Sequence, residues 1–392
     1  MSANKNTNTP KKSFLANSAV QSFLASIVCI VIGLLIGYIV LLLINSKGAN
    51  DAILSILKNF LNYSSPATAK KYFGNTLVKA APLLMCALSI QFCYQTGLFN
   101  IGAAGQYVAG AGACLFCALS FKLPWYLCLL AAIIAGGIFG IIVGFLKAYL
   151  NVNEVISGIM LNWMGLYSVN MLLAKVKETA SPYTMTLAST NKAAIIPSLG
   201  LEKLFSNNKY VTIAIPLALI VAIVLKIVLS KTVFGYEIKA TGLSKDAAKY
   251  SGMKEKKNII LTLFIGGALA GAGAAFLYLT GYEQWEVTQS SVPSMGFNGI
   301  AATFLGGLDP IGTIFASYFI QHITSGGAHL DKQIYPAQIA DLISSIIIYL
   351  CGFAFIVKFI VNRKLNEKVS KLGYPPENKD NKDENEEGGK KE

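Results

Sequence analysis

The chain has 392 residues, 54% of them hydrophobic and 14% charged, with a mean hydropathy of +0.54. These values exclude an ordinary soluble globular domain and fit a polytopic membrane protein. The formal charge of +13 does not point to nucleic acid, because the lysines lie in tails and loops between apolar stretches and form neither an amphipathic face nor an aromatic-interleaved strand.

Residues 1–21 carry Lys5, Lys11 and Lys12 and no recognisable motif. The stretch 22–44 is uncharged and long enough to cross about 30 Å of hydrocarbon as a helix. It is too long for the apolar region of a cleavable signal peptide, and no small-residue cleavage site follows, so it reads as a retained first helix. Further apolar windows lie at 75–95, 101–120, 124–147, 154–173, 210–229, 258–280, 296–323 and 338–361. The segments 45–74 and 174–209, rich in Ser, Thr, Asn and Pro, read as outer loops.

Seven lysines (Lys231, Lys239, Lys245, Lys249, Lys254, Lys256 and Lys257) crowd the loop 230–257, and Lys358, Arg363, Lys364, Lys368 and Lys371 follow the last window. The positive-inside rule places both regions, with the N-terminus, in the cytoplasm. Six crossings satisfy this for the loop, but three more would leave the basic C-terminus outside. The window 296–323 restores parity, because Gly306-Gly307-Leu308-Asp309-Pro310 stops one helix and starts another with Pro in its first turn. Residues 296–308 and 311–324 are therefore expected to enter and return as a broken pair. The result is an all-α polytopic membrane protein of about ten membrane segments, with a transmembrane domain over 22–362 and a charged tail over 363–392, disordered from about Pro375 on.

Gly97-Leu98-Phe99-Asn100-Ile101-Gly102-Ala103 and Met295-Gly296-Phe297-Asn298-Gly299-Ile300-Ala301 share a Gly/Phe/Asn pattern, and five crossings separate them. An odd number reverses orientation, as in the inverted repeats of transporters. Gln91, Gln95, Asn100, Gln106, Asn153, Glu154, Asn162 and Asn170 are polar groups in or beside spans, where each must pair or face water. Interhelical hydrogen bonding would satisfy them. As a set they also suit a polar solute: Phe99, Trp163 and Phe297 could stack on a flat ring, while Asn100, Gln106, Asn162 and Asn298 offer paired donors and acceptors. The acids Glu154, Glu286 and Asp341 form no run of acids along a single span, which disfavours a proton relay.

In the loop 230–257, Ser244 reads as an N-cap, Asp246 suits the positive helix end and Gly252 suits a C-terminal stop, giving a short helix with Ala247 and Ala248. No catalytic constellation appears. His322 and His329 are at no metal or nucleophile spacing, the seven cysteines sit in apolar stretches, and the Cys114–Cys117 pair has no partner set for a metal. The chain lacks a Gly-x-x-x-x-Gly-Lys-Ser/Thr phosphate cradle, so it does not itself bind ATP for hydrolysis.

The run Gly97 to Gln106, of the form GLFNIGxxGQ, and the stretch 235–253 resemble the permease subunits of ABC importers for nucleosides and simple sugars, a family that includes branched-chain amino-acid permeases. The nucleoside branch is the most similar, and the resemblance covers roughly residues 20 to 362. It implies a cell-membrane transport subunit that is not an enzyme and carries no cofactor, with ATP on a partner chain. It further implies a second homologous permease, a cytoplasmic ABC ATPase and an extracellular substrate-binding lipoprotein. Gly242, Leu243, Ala247, Ala248 and Gly252 fall where the family couples to its ATPase. Ala104 stands where the family motif usually has Glu, which bears on the substrate or on packing. A ribose- or galactose-type sugar permease, a branched-chain amino-acid permease and a proton-coupled secondary transporter remain as alternatives.

Overall fold

The computed structural model describes residues 18–331, 334, 335 and 339–351. The N-terminal lysines, the basic residues from 358 onward and the Asp341 side chain lie outside the described residues. The apolar windows become α1 (Ser18–Ile44), α3 (Pro66–Tyr94), α4 (Ala103–Leu119), α5 (Trp125–Leu150), α6 (Glu154–Leu173), α9 (Ala214–Lys231), α12 (Glu255–Tyr278), α13 (Met295–Leu305), α14 (Pro310–Gly326) and α15 (Ile339–Cys351). Between them lie α2 (Ala49–Lys58), the single turns α7 (Leu187–Thr190) and α8 (Leu201–Leu204), and α10 (Val233–Leu243) with α11 (Lys245–Tyr250). Among the described residues five helices, α3, α5, α6, α9 and α12, are long and apolar enough by themselves to cross a membrane. Among the described residues there is no strand, only two isolated bridges, Lys177 with Thr184 and Tyr183 with Glu286.

Two stretches expected as loops are helical. α2 and the start of α3 occupy 45–74, and α10 precedes the short helix in 230–257. The reason is amphipathic spacing: α2 buries Ala49, Ala52 and Ile56 and leaves Asn50, Asp51 and Lys58 exposed.

α3 and α12 form the centre, with 89% and 72% of their apolar windows buried, whereas α5 and α9 turn Ile134, Ile138, Ile141 and Ile142, and Ile220, Ile223, Val224 and Ile227, outward as lipid-facing rows. α12 lies against α4 and α5, and α3 lies against α13 and α14. Each central helix is thus clasped by a helical pair from the other half of the chain, the exchange an inverted repeat produces. α5 and α12 approach backbone to backbone, since a Cβ on Gly140 would overlap the Leu263 carbonyl and one on Gly271 that of Ala132.

The break between α13 and α14 falls where Gly307 and Leu308 take φ of +68° and +58°. Asp309 caps α14 by accepting from the Ile311 and Gly312 amides at 3.1 and 3.3 Å, and Pro310 opens the helix. The same carboxylate is ion-paired with Lys226 of α9. The break itself, Gly306 to Asp309, is half-buried, and its backbone is satisfied by the Asp309 cap and by the turn bonds from Gly307 to Phe304 and from Leu308 to Thr303.

Candidate functional site

Gly97, at φ +70°, ends α3 and turns the chain into the motif that opens α4. Asn100 donates to Gln106 Oε1 at 2.8 Å and to Ser89 Oγ at 3.1 Å, and Gln106 donates back to Asn100 Oδ1 at 3.2 Å. Asn162 of α6 accepts from the Gly105 amide at 2.7 Å and donates to the Ile101 carbonyl at 3.1 Å. Asn100, Gln106 and Asn162 are all buried and satisfied by one another or by motif backbone, so they lock the α3–α4 turn and fasten α6 to it. Ala104 is 1% exposed, with Gly296 packed on its backbone, so α4 and α13, each opened by one copy of the repeated motif, meet at this pair of small residues. A small side chain at 104 is what this contact requires.

The aromatic candidates do not converge. Phe99 is half-buried with its ring 6.5 Å from that of Phe304, whereas Trp163 and Phe297 point outward at 43% and 39% exposure. On α6, Met160, Trp163, Met164, Tyr167 and Met171 share one exposed face with Ile156, and its methionines have no counterpart among the exposed apolar residues of α5 and α9. Glu154 is paired with Lys147 at 2.7 Å, and Asn153 caps α6 by accepting from the Val155 amide. Gln91 Oε1 accepts from Thr313 at 3.1 Å, while Gln91 Nε2 and Ser317 Oγ are buried without a partner among the described residues.

Asn298 lies elsewhere, in a cavity of about 520 Å³ at the end of the bundle opposite the lysine-rich loop. Tyr107 of α4, Tyr278 of α12 and Tyr183 supply aromatic wall, and Lys79, Glu283, Glu286 and Gln321 supply polar groups. Lys79 and Glu283 form an ion pair of 2.8 Å with side chains about one-third exposed. Burial pushes the Tyr282 phenol up, against the pull of Lys79 5.3 Å from its ring, so it remains a neutral hydrogen-bonding group. The cavity roof is stitched together: Thr184 N donates to Trp285 O, Trp285 Nε1 to Asn170 Oδ1 and Asn170 Nδ2 to Gln289 O, each at 2.9 Å. Lys79 and Glu283 are absent from the sequence-derived candidates, although a lysine within the 75–95 window is the signal that marks such a place.

At the lysine-rich end, Ser244 Oγ accepts from the Ala247 amide at 3.3 Å to start α11, and Gly252 ends it at φ +82°. Ala248 is buried and faces the bundle; Leu243, Ala247 and Tyr250 are exposed, Leu243 at 89% and Tyr250 at 92%. Gly242 lies against the turn that follows α3: a Cβ there would overlap the Gln95 carbonyl and stand 2.8 Å from Thr96 C. The end of α10, from which α11 follows, therefore rests on the turn Gln95–Gly97 that leads into the motif, and Thr232, which caps α10 through the Gly235 amide, joins α10 to α9.

The family model described as the permease component of branched-chain amino acid transport systems matches residues 72–352. The chain is 31% identical over 371 residues to the nucleoside ABC transporter permease protein NupB of Lactococcus lactis, covering 91% of this chain and 99% of that one. It is 30% identical to the guanosine ABC transporter permease protein NupP of Bacillus subtilis, over 76% and 85% of the two chains. A solved chain of an inward-facing ABC transporter is a more distant likeness, with a TM-score of 0.42 and 17% identity over 81% of this chain and 98% of that one. Matched over most of its length and folded as a bundle of apolar helices, the chain belongs to the family of branched-chain amino acid transport system permease components and is a multi-pass membrane permease.

Proposed function

We propose that this chain is the translocating permease subunit of an ATP-driven ABC importer and that its solute is a nucleoside. The observation that carries the reading is the similarity, nearly end to end, to a nucleoside permease, supported by a second relative named for guanosine. ATP binds and is hydrolysed on a cytoplasmic ATPase, which docks on the exposed residues Leu243, Ala247 and Tyr250; Gly242 and Ala248 hold that surface on the bundle. A second, homologous permease covers the α6 face, whose exposed methionines have no counterpart on the exposed faces of α5 and α9. A binding lipoprotein delivers the solute from outside. Closure of the ATPase pushes α10 and α11 against the motif turn and, through α9 and the Lys226–Asp309 pair, against the broken helices.

The test is ATP-dependent uptake of labelled guanosine or adenosine into vesicles holding the whole transporter, challenged with unlabelled ribose, uridine and leucine. Saturable ATP-driven nucleoside uptake that unlabelled ribose and leucine leave unchanged supports the reading, and the effect of uridine reports its breadth. Competition by ribose alone moves the solute to sugars, and uptake without ATP removes the importer assignment.

A further inference from the structure

Lys79 is a charge inside the most buried helix of the bundle, and such residues persist in spans where they pair and face water. Its partner Glu283 stands at the rim of a cavity whose volume falls in the ~300–1,000 Å³ range of small-molecule sites. Three features of that cavity bear on what fits. The buried rings of Tyr107 and Tyr278, from two different helices, stand 6.3 Å apart and tilted by 51°, and close the cavity with an aromatic floor against whose edges a flat ring can pack. The Asn298 side-chain amide lines the cavity and makes no hydrogen bond to another described residue, leaving a donor and an acceptor for hydroxyl groups. Lys79, Glu283 and Glu286 sum to one negative charge, which admits a neutral solute and repels a phosphate.

We propose that this cavity is a solute-recognition site within the single subunit and that Glu283 is its specificity-determining residue for a nucleoside base carrying two adjacent N–H donors. An ionised carboxylate only accepts hydrogen bonds, and its two oxygens match two neighbouring donors. Guanine presents N1–H and its 2-amino group side by side; adenine and uracil do not. Lys79 holds the carboxylate ready and shares it with the bound base. This inference rests on the nucleoside reading above and adds the place and the selectivity.

The experiment is equilibrium dialysis of labelled guanosine and 1-methylguanosine against the purified transporter complex without its binding protein, with guanosine monophosphate as competitor. The wild-type complex should prefer guanosine to 1-methylguanosine by roughly tenfold or more, the worth of a hydrogen bond to a charged group, and the monophosphate should not compete. Glu283→Gln should bring that ratio to near one, a change that mere loss of packing does not produce. Ser294→Trp, an exposed substitution at the cavity rim with no capping bond to lose, should abolish guanosine binding. If both variants bind guanosine with the wild-type affinity and ratio, the site is overturned while guanosine uptake by the intact transporter leaves the proposed function standing. If the intact transporter takes up adenosine but not guanosine, the site is overturned and the nucleoside reading stands; if it takes up neither, the nucleoside reading fails and this site with it.

Discussion

Replacing Asn100 by leucine separates a residue that holds the fold from one that touches the solute. Asn100 is 2% exposed and Gln106 is 1% exposed, and three hydrogen bonds join Asn100 to Gln106 and Ser89. Leucine removes all three and leaves the Gln106 amide and the Ser89 hydroxyl in apolar surroundings. An orphaned buried polar group costs about 1–3 kcal/mol in water-soluble proteins. Hydrogen bonds inside membrane bundles average nearer ~0.6 kcal/mol, with a maximum of about 1.7. The sum for Asn100→Leu is therefore about 2–4 kcal/mol. The double variant Asn100→Leu, Gln106→Leu no longer carries the stranded amide and should lose less than the two single losses added, by about 1 kcal/mol. The assay is unfolding of the purified protein in detergent, with uptake normalised to the folded fraction. Normal unfolding of Asn100→Leu with abolished uptake would show that the amide acts on the solute, and strict additivity in the cycle would show that Asn100 and Gln106 are uncoupled; either result refutes the reasoning.

Gly242→Ala should lift α10 from the turn after α3, because its methyl meets the Gln95 carbonyl and the Thr96 backbone; uptake per ATP hydrolysed should fall severalfold, and an unchanged ratio measured in proteoliposomes would show that the contact does not transmit motion. Asp309→Asn keeps the cap on α14 and loses only a partly exposed ion pair, a loss below about 1 kcal/mol, whereas Asp309→Ala also loses the cap, a further ~0.5–2 kcal/mol; equal melting of the two variants would contradict the capping role. Trp285→Phe strands Asn170 Oδ1 and should cost about 1–2 kcal/mol while exposing the 281–289 segment to protease; cleavage at the wild-type rate would exclude Trp285 as the tie between α6 and the cavity roof.

Local chemistry made several elements readable from the chain alone. Uncharged length is sufficient to require helices in a membrane, a Gly-Gly-Leu-Asp-Pro run cannot continue one, and Ser244 with Gly252 brackets a short helix by a cap and a left-handed stop. These depend on neighbours a few residues away, and they appear in the fold within a few positions of where they were expected. Which way Asn100, Gln106 and Asn162 face was not legible, since a membrane helix is apolar all round and carries no stripe that separates core from lipid or path. The amide partners are set by how α3, α4 and α6 pack, and they turned a candidate solute surface into a closed lattice. Trp163 and Phe297 face outward for the same reason. The ion pair of Lys79 with Glu283 and the cavity it borders exist only because α3 and the segment after α12 meet across the repeat, a long-range contact that no local spacing encodes.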